Sequence, residues 1–203
     1  MRTALLIFIT VVTGLAETES RGQTAGSITV CLSRGAEIPP TYPAQRRAAT
    51  IFAGIGIRVE WHAGMSCPAA PEAIRISITG RPAKDPDNVL AYALPYEGRH
   101  IVIFYERIAL RSSRPQELLA HVLVHEVAHI LQGISRHSYK GIMKARWSDE
   151  DIYRMRFQPL AFAAEDVYLI HRGLEVRAER AGAAIEVVPA ARANSFGKRR
   201  TVN

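Results

Sequence analysis

The 203-residue chain has only two cysteines, Cys31 and Cys67. Neither has the spacing of a metal-binding pair, which excludes thiolate zinc sites of the C-x-x-C kind. Beyond the N-terminal segment no run approaches the roughly 20 apolar residues that a membrane-spanning helix needs. Internal repeats and long linkers are absent, and the length suits one domain with a sizeable core. No acidic residue follows Glu186, and no aromatic or recognition motif accompanies the basic residues of that tail. A nucleic-acid partner is therefore not expected, although the tail alone could engage an anionic surface.

The two ends read differently from the middle. Met1-Arg2-Thr3 precedes a nearly unbroken apolar run from Ala4 to Val12, and Gly14-Leu15-Ala16 offers small residues for cleavage. Residues 1–16 are expected to be a secretory signal peptide cut after Ala16, too short to be a membrane span. With no cysteine at the cut, a lipid anchor is not indicated. The implied destination is secreted or periplasmic, an oxidising compartment where two cysteines pair. A Cys31–Cys67 disulfide is expected, stabilising by about 2–4 kcal/mol. Residues 17–188 are expected to form one folded domain. Residues 189–203, with Arg192, Lys198, Arg199 and Arg200, read as a basic disordered tail.

What is present is concentrated in one helix. Ser113-Arg114-Pro115-Gln116 reads as a helix start, with Ser113 as cap and proline in the first turn. From Leu118 to Leu131 apolar residues cover most of the circumference, the pattern of a buried helix. Gly133 follows, where a left-handed cap is expected. Within this helix stands His125-Glu126-Val127-Ala128-His129, an H-E-x-x-H motif. Residues four apart share a helix face, so two imidazoles can bind one ion and Glu126 can reach its open position. Those are the parts of a zinc hydrolase: nitrogen ligands and a carboxylate base for an activated water. His121 extends the row by one turn. A straight helix cannot wrap three such residues round one ion, because the outer two lie about 12 Å apart. His121 therefore reads as a supporting or core histidine.

A catalytic zinc usually has three protein ligands. His137 arrives after a short loop beyond Gly133 and can fold back to the same ion. Downstream carboxylates, Glu150 or Glu165, are the alternatives. The segment from His125 to Met143 resembles the metzincin clan of zinc peptidases, whose pattern is H-E-x-x-H-x-x-G-x-x-H followed by a methionine turn. It is most similar to matrixin-like exported bacterial members. Here Gly133 and His137 stand four and eight residues after His129, so the turn is two residues longer than the pattern. The resemblance implies His125, His129 and His137 as ligands of Zn2+, Glu126 as the catalytic base, and Met143 of Gly141-Ile142-Met143 as an apolar base beneath the site.

Around this helix the order of elements is strand (Ile28–Leu32), helix (Ala44–Ala53), strands (Ile57–Trp61, Ile74–Ile78, Val89–Leu94, Ile101–Tyr105), then the motif helix. A short helix capped by Ser148 and a last helix near Ala161–Glu179 follow. The expected fold is α+β, a twisted mixed sheet packed on the motif helix with C-terminal helices, and the resemblance implies that it is zincin or metzincin-like. The resemblance further implies a peptide lying along an edge strand, for which Val89–Leu94 is the candidate. Tyr139 and His100 are polar residues that the sequence does not place. The expected activity is that of a zinc-dependent endopeptidase acting, as a monomer, on a peptide or protein substrate. The alternatives are a non-catalytic, zinc-stabilised exported binding protein and a polyanion binder led by the tail.

Overall fold

The computed structural model describes residues 26–80 and 89–186. The expected signal peptide, the basic tail and residues 81–88 of the polar loop lie outside the described residues. Five strands and five α-helices follow in the order β1 (Gly26–Arg34), α1 (Tyr42–Ala53), β2 (Ile57–Ala63), β3 (Ile74–Thr79), β4 (Ala91–Ala93), β5 (His100–Phe104), α2 (Tyr105–Arg111), α3 (Pro115–Gln132), α4 (Asp149–Arg154) and α5 (Ala164–Glu186).

The strands form one mixed sheet in the order β2-β1-β3-β5-β4. The first four run parallel, and β4 closes one edge antiparallel to β5, with Tyr92 opposite Val102. The candidate substrate strand is thus an edge strand, shorter than expected. Alternation of burial along β3, with Ile74, Ile76 and Ile78 buried, shows which face carries the core. Against that face pack α1, through Ala44, Ala48, Ile51 and Phe52, and α3.

Helix α3 is buried on every side from Leu118 to Leu131. Each fully buried Leu, Val or Ile contributes roughly 1.5–3 kcal/mol, so this helix is the central pillar and its polar residues are held by the whole domain. Arg47 of α1 pairs with Glu117 at 3.3 Å and donates to the Met155 carbonyl at 3.0 Å, tying α1 to both α3 and the end of α4. At the far end α5 crosses so closely that a Cβ on Gly173 would lie 1.6 Å from the Leu131 carbonyl oxygen.

One sequence expectation needs correction. Arg114, not Ser113, is the N-cap of α3, and no side chain caps it. The reason is α2, a two-turn helix that the sequence pattern did not reveal. It ends at Arg111, which leaves only Ser112–Arg114 to turn the chain, and Ser112 Oγ accepts from the Arg114 amide at 3.1 Å. Ser148, by contrast, caps α4 in a reciprocal box with Asp151. The Cys31–Cys67 disulfide is present, joining β1 to the turn after β2; such a bond is consistent with an extracellular compartment. Among the described residues no helix is long and apolar enough to cross a membrane.

Candidate metal centre

Helical geometry puts His125 and His129 one turn apart on α3, and both are buried. Each is oriented by the loop that follows the helix. His125 Nδ1 donates to the Ile142 carbonyl at 2.9 Å, and His129 Nδ1 donates to the Ile134 carbonyl at 3.1 Å. A carbonyl only accepts, so the proton of each ring is fixed at Nδ1 and the lone pair at Nε2. The two Nε2 atoms face each other at 3.0 Å. Two lone pairs so placed repel unless an electrophile lies between them. Burial lowers the His125 pKa to about 3 and that of His129 to about 4, so protonation does not relieve the repulsion at neutral pH.

His137 completes the group. Its ring centroid lies 5.3 Å from that of His125 and 4.9 Å from that of His129, and one nitrogen from each of the three falls within 4.8 Å of the others. Two nitrogens bound to one tetrahedral zinc at about 2.0–2.1 Å sit about 3.3 Å apart. The donor set and its spacing fit that ion. His137 is the exposed member and burial lowers its pKa as well. The alternative carboxylates are elsewhere: Glu150 is exposed on α4, and Glu165 is paired with Arg136.

Three devices hold the loop that carries His137. Gly133 takes the left-handed conformation (φ 69°) and donates to the His129 carbonyl, stopping α3. Gly141 also has positive φ, and a Cβ there would lie 2.1 Å from the Ala161 carbonyl oxygen. The third device is Asp166, which is fully buried. Its Oδ1 accepts from Arg136 Nη1 at 3.0 Å and Ser138 Oγ at 2.7 Å, gripping the residues on either side of His137; Oδ2 accepts from the Ala163 amide at 3.3 Å. Sequence reasoning missed Asp166. Its only signal was an acidic residue in the first turn of α5. Ile142 and Met143, at the end of this loop, are fully buried in the core.

Glu126 is buried beside the histidines, and burial raises its pKa to about 8 against the opposing effect of a hydrogen bond from the Ala93 backbone. A cation at the triad would favour its ionised form. Trp147 stands edge-on to His125, with centroids 5.5 Å apart. His121 takes no part in the triad. Its Nδ1 donates to the Glu117 carbonyl at 2.7 Å and its Nε2 accepts from the Leu160 amide at 3.1 Å, a core histidine that ties α3 to the segment before α5.

The triad and Glu126 open onto a cleft of about 800 Å³, lined also by Val89–Ala93 and Lys144–Trp147. Neither Tyr139 nor His100 lines it: Tyr139 is exposed and His100 pairs with Glu97 at the start of β5.

No protein-family model matches this sequence, and no curated protein matches it. The fold does match a solved structure, archaemetzincin from Methanopyrus kandleri, with a TM-score of 0.53 and 15% identity over 75% of this chain and 98% of that one. The fold is therefore metzincin-like, as the resemblance implied.

Proposed function

We propose that this protein is a zinc-dependent endopeptidase, with His125, His129 and His137 holding the ion and Glu126 as the catalytic base. The observation that carries the proposal is the pair of Nε2 atoms at 3.0 Å whose protons are both committed to Nδ1. A zinc ion held there would polarise a substrate carbonyl and lower the pKa of a bound water towards 7.

The chain's own groups do the rest. Strand β4 lies at the sheet edge and lines the same cleft as the triad, so an extended peptide could add alongside it. Glu126 takes a proton from the attacking water at its carboxylate and delivers it to the leaving amine. Its hydrogen bond from Ala93 couples the base to the strand on which the peptide would lie. Burial of the base and of two imidazoles keeps bulk water from competing for those contacts. The metzincin-like fold supports the same reading, and secretion is expected from the N-terminal segment together with the disulfide.

The test compares wild type with Glu126→Ala for zinc content and for cleavage of a broad peptide library. Stoichiometric zinc in both proteins is expected, with cleavage falling about 10²–10⁴-fold in the variant. Zinc in both and cleavage in neither would point instead to a zinc-stabilised binding protein.

A further inference from the structure

The peptidase reading leaves the substrate open, and a substrate class inferred from the cleft rests on that reading. Charge in the cleft is one-sided. Arg107, Arg111, Lys144 and Arg146 line it, and among the described residues Glu126 is its single acid. The four cations differ in what already holds them. Lys144 is paired with the mostly buried Asp151. Arg107 lies over the Phe104 ring, 4.7 Å from its centroid, and donates to the Val89 carbonyl at 2.6 Å. Arg111 pairs with Asp149, but that carboxylate is 87% exposed, and a pair so bathed in water yields readily to a better-placed anion. Arg146 is exposed and lines the cleft, and no carboxylate among the described residues pairs with it.

The surroundings sharpen this charge. Val122, Ile152, Trp147 and Leu110 supply apolar lining to the same cleft. Low-dielectric walls focus the field of the charges they enclose. A guanidinium presents a planar fork that matches a carboxylate and binds it with two parallel hydrogen bonds.

We propose that the cleft selects peptides carrying a carboxylate close to the scissile bond, with Arg146 receiving it and Arg111 sharing it. The carboxylate can belong to an Asp or Glu side chain or to the free end of a short peptide; the chemistry of recognition is the same.

The experiment uses short fluorescent peptides identical except for one central residue, Glu, Gln or Lys, each made with an amidated and with a free C-terminus. Affinity is read by anisotropy on the zinc-loaded full-length Glu126→Ala protein, where nothing is turned over. Cleavage is read with wild type. The Glu peptide should bind about tenfold more tightly than the Gln peptide at low salt, with Lys weakest and the margin shrinking as salt is added. Arg146→Ala should remove most of the margin, and Arg146→Glu should invert it in favour of Lys, an outcome that a damaged fold cannot produce. A margin with amidated peptides assigns the carboxylate to the side chain, and one confined to free acids assigns it to the chain end; both support carboxylate selection. Equal affinity for all three residues alongside measurable cleavage overturns the selectivity and leaves the peptidase reading standing. If no peptide binds the zinc-loaded protein, both readings fall.

Discussion

Replacing Asp166 by alanine removes three hydrogen bonds at once, to Arg136, Ser138 and the Ala163 amide. Bonds to an ionised acceptor are worth about 1.5–3 kcal/mol each when buried. The three do not sum in full. Arg136 is a third exposed and keeps Glu165, and the Ala163 contact at 3.3 Å is long. A net loss of about 3 kcal/mol is the result expected from urea denaturation of the metal-free protein. The second consequence is specific to His137, which stands between two of the released residues. Freeing one backbone position costs on the order of 1–2 kcal/mol of ordering entropy when the loop must be re-fixed around an ion. Zinc affinity, measured by competition with a chromophoric chelator, should therefore fall about 5–30-fold. Asp166→Asn, which keeps an acceptor but not the charge, should lie between wild type and alanine on both scales. An unchanged urea midpoint would refute the energetic step. Lost stability with wild-type zinc affinity would refute the claim that this grip positions the third imidazole.

Three further outcomes are expected from the packing. Gly173→Ala places a methyl group 1.6 Å from the Leu131 carbonyl oxygen at the end of α3; the helices must separate, with an expected loss of about 3 kcal/mol by urea titration and weaker zinc binding through His129. His121 has its pKa lowered to about 4, chiefly by burial. A depressed folded pKa means stability that is full above about pH 6.5 and is lost as pH falls towards 4, because only the unfolded state takes up the proton. The loss should total about 3 kcal/mol, and His121→Gln should flatten the slope of stability against pH in that window. Removing the Cys31–Cys67 bond, which closes a separation of 36 residues, should cost about 4 kcal/mol on the chain-entropy account, read as a lower urea midpoint of the Cys31→Ala, Cys67→Ala protein. Equal midpoints for the two proteins would overturn that last expectation.

The sequence made the pillar legible because its pattern is redundant. Apolar residues on every face of Leu118–Leu131, a closing Gly133 and two histidines four apart all point to one buried helix. The strands were legible where β-branched residues alternate, as in Ile74–Ile78, and the Ser148 cap where an acid stands three residues on. Helix α2 was not, because Tyr105–Arg111 buries only Ile108 and continues directly from the strand before it. Asp166 was hidden for a different reason. An acid in the first turn of a helix is ordinarily explained by the helix dipole, and only the return of the Arg136–Ser138 segment in space gives it another task. The basic character of the cleft was equally out of reach, since Arg107 and Arg111 come from α2 and Lys144 and Arg146 from a loop more than thirty residues later.

The longer turn after His129 is reconciled with a three-imidazole site by the carbonyls of the loop itself. Residues 133–143 deliver His137, but they also supply the two acceptors, Ile134 and Ile142, that orient His129 and His125. The loop is closed on itself by the Ser138 amide and the Met143 carbonyl at 2.7 Å, and anchored outward where the Ile142 amide meets the Ala161 carbonyl at 3.0 Å. Added length is harmless so long as those two carbonyls stay in register with the two helix histidines, and the left-handed glycines at 133 and 141 bend the chain near each of them. Ring orientation on the helix and placement of the third ring are then one structural property, set by one loop. A shift of the loop as a whole therefore displaces His137 and turns His125 and His129 together, whereas loosening Arg136 and Ser138 leaves the Ile134 and Ile142 acceptors in place and acts on His137 first.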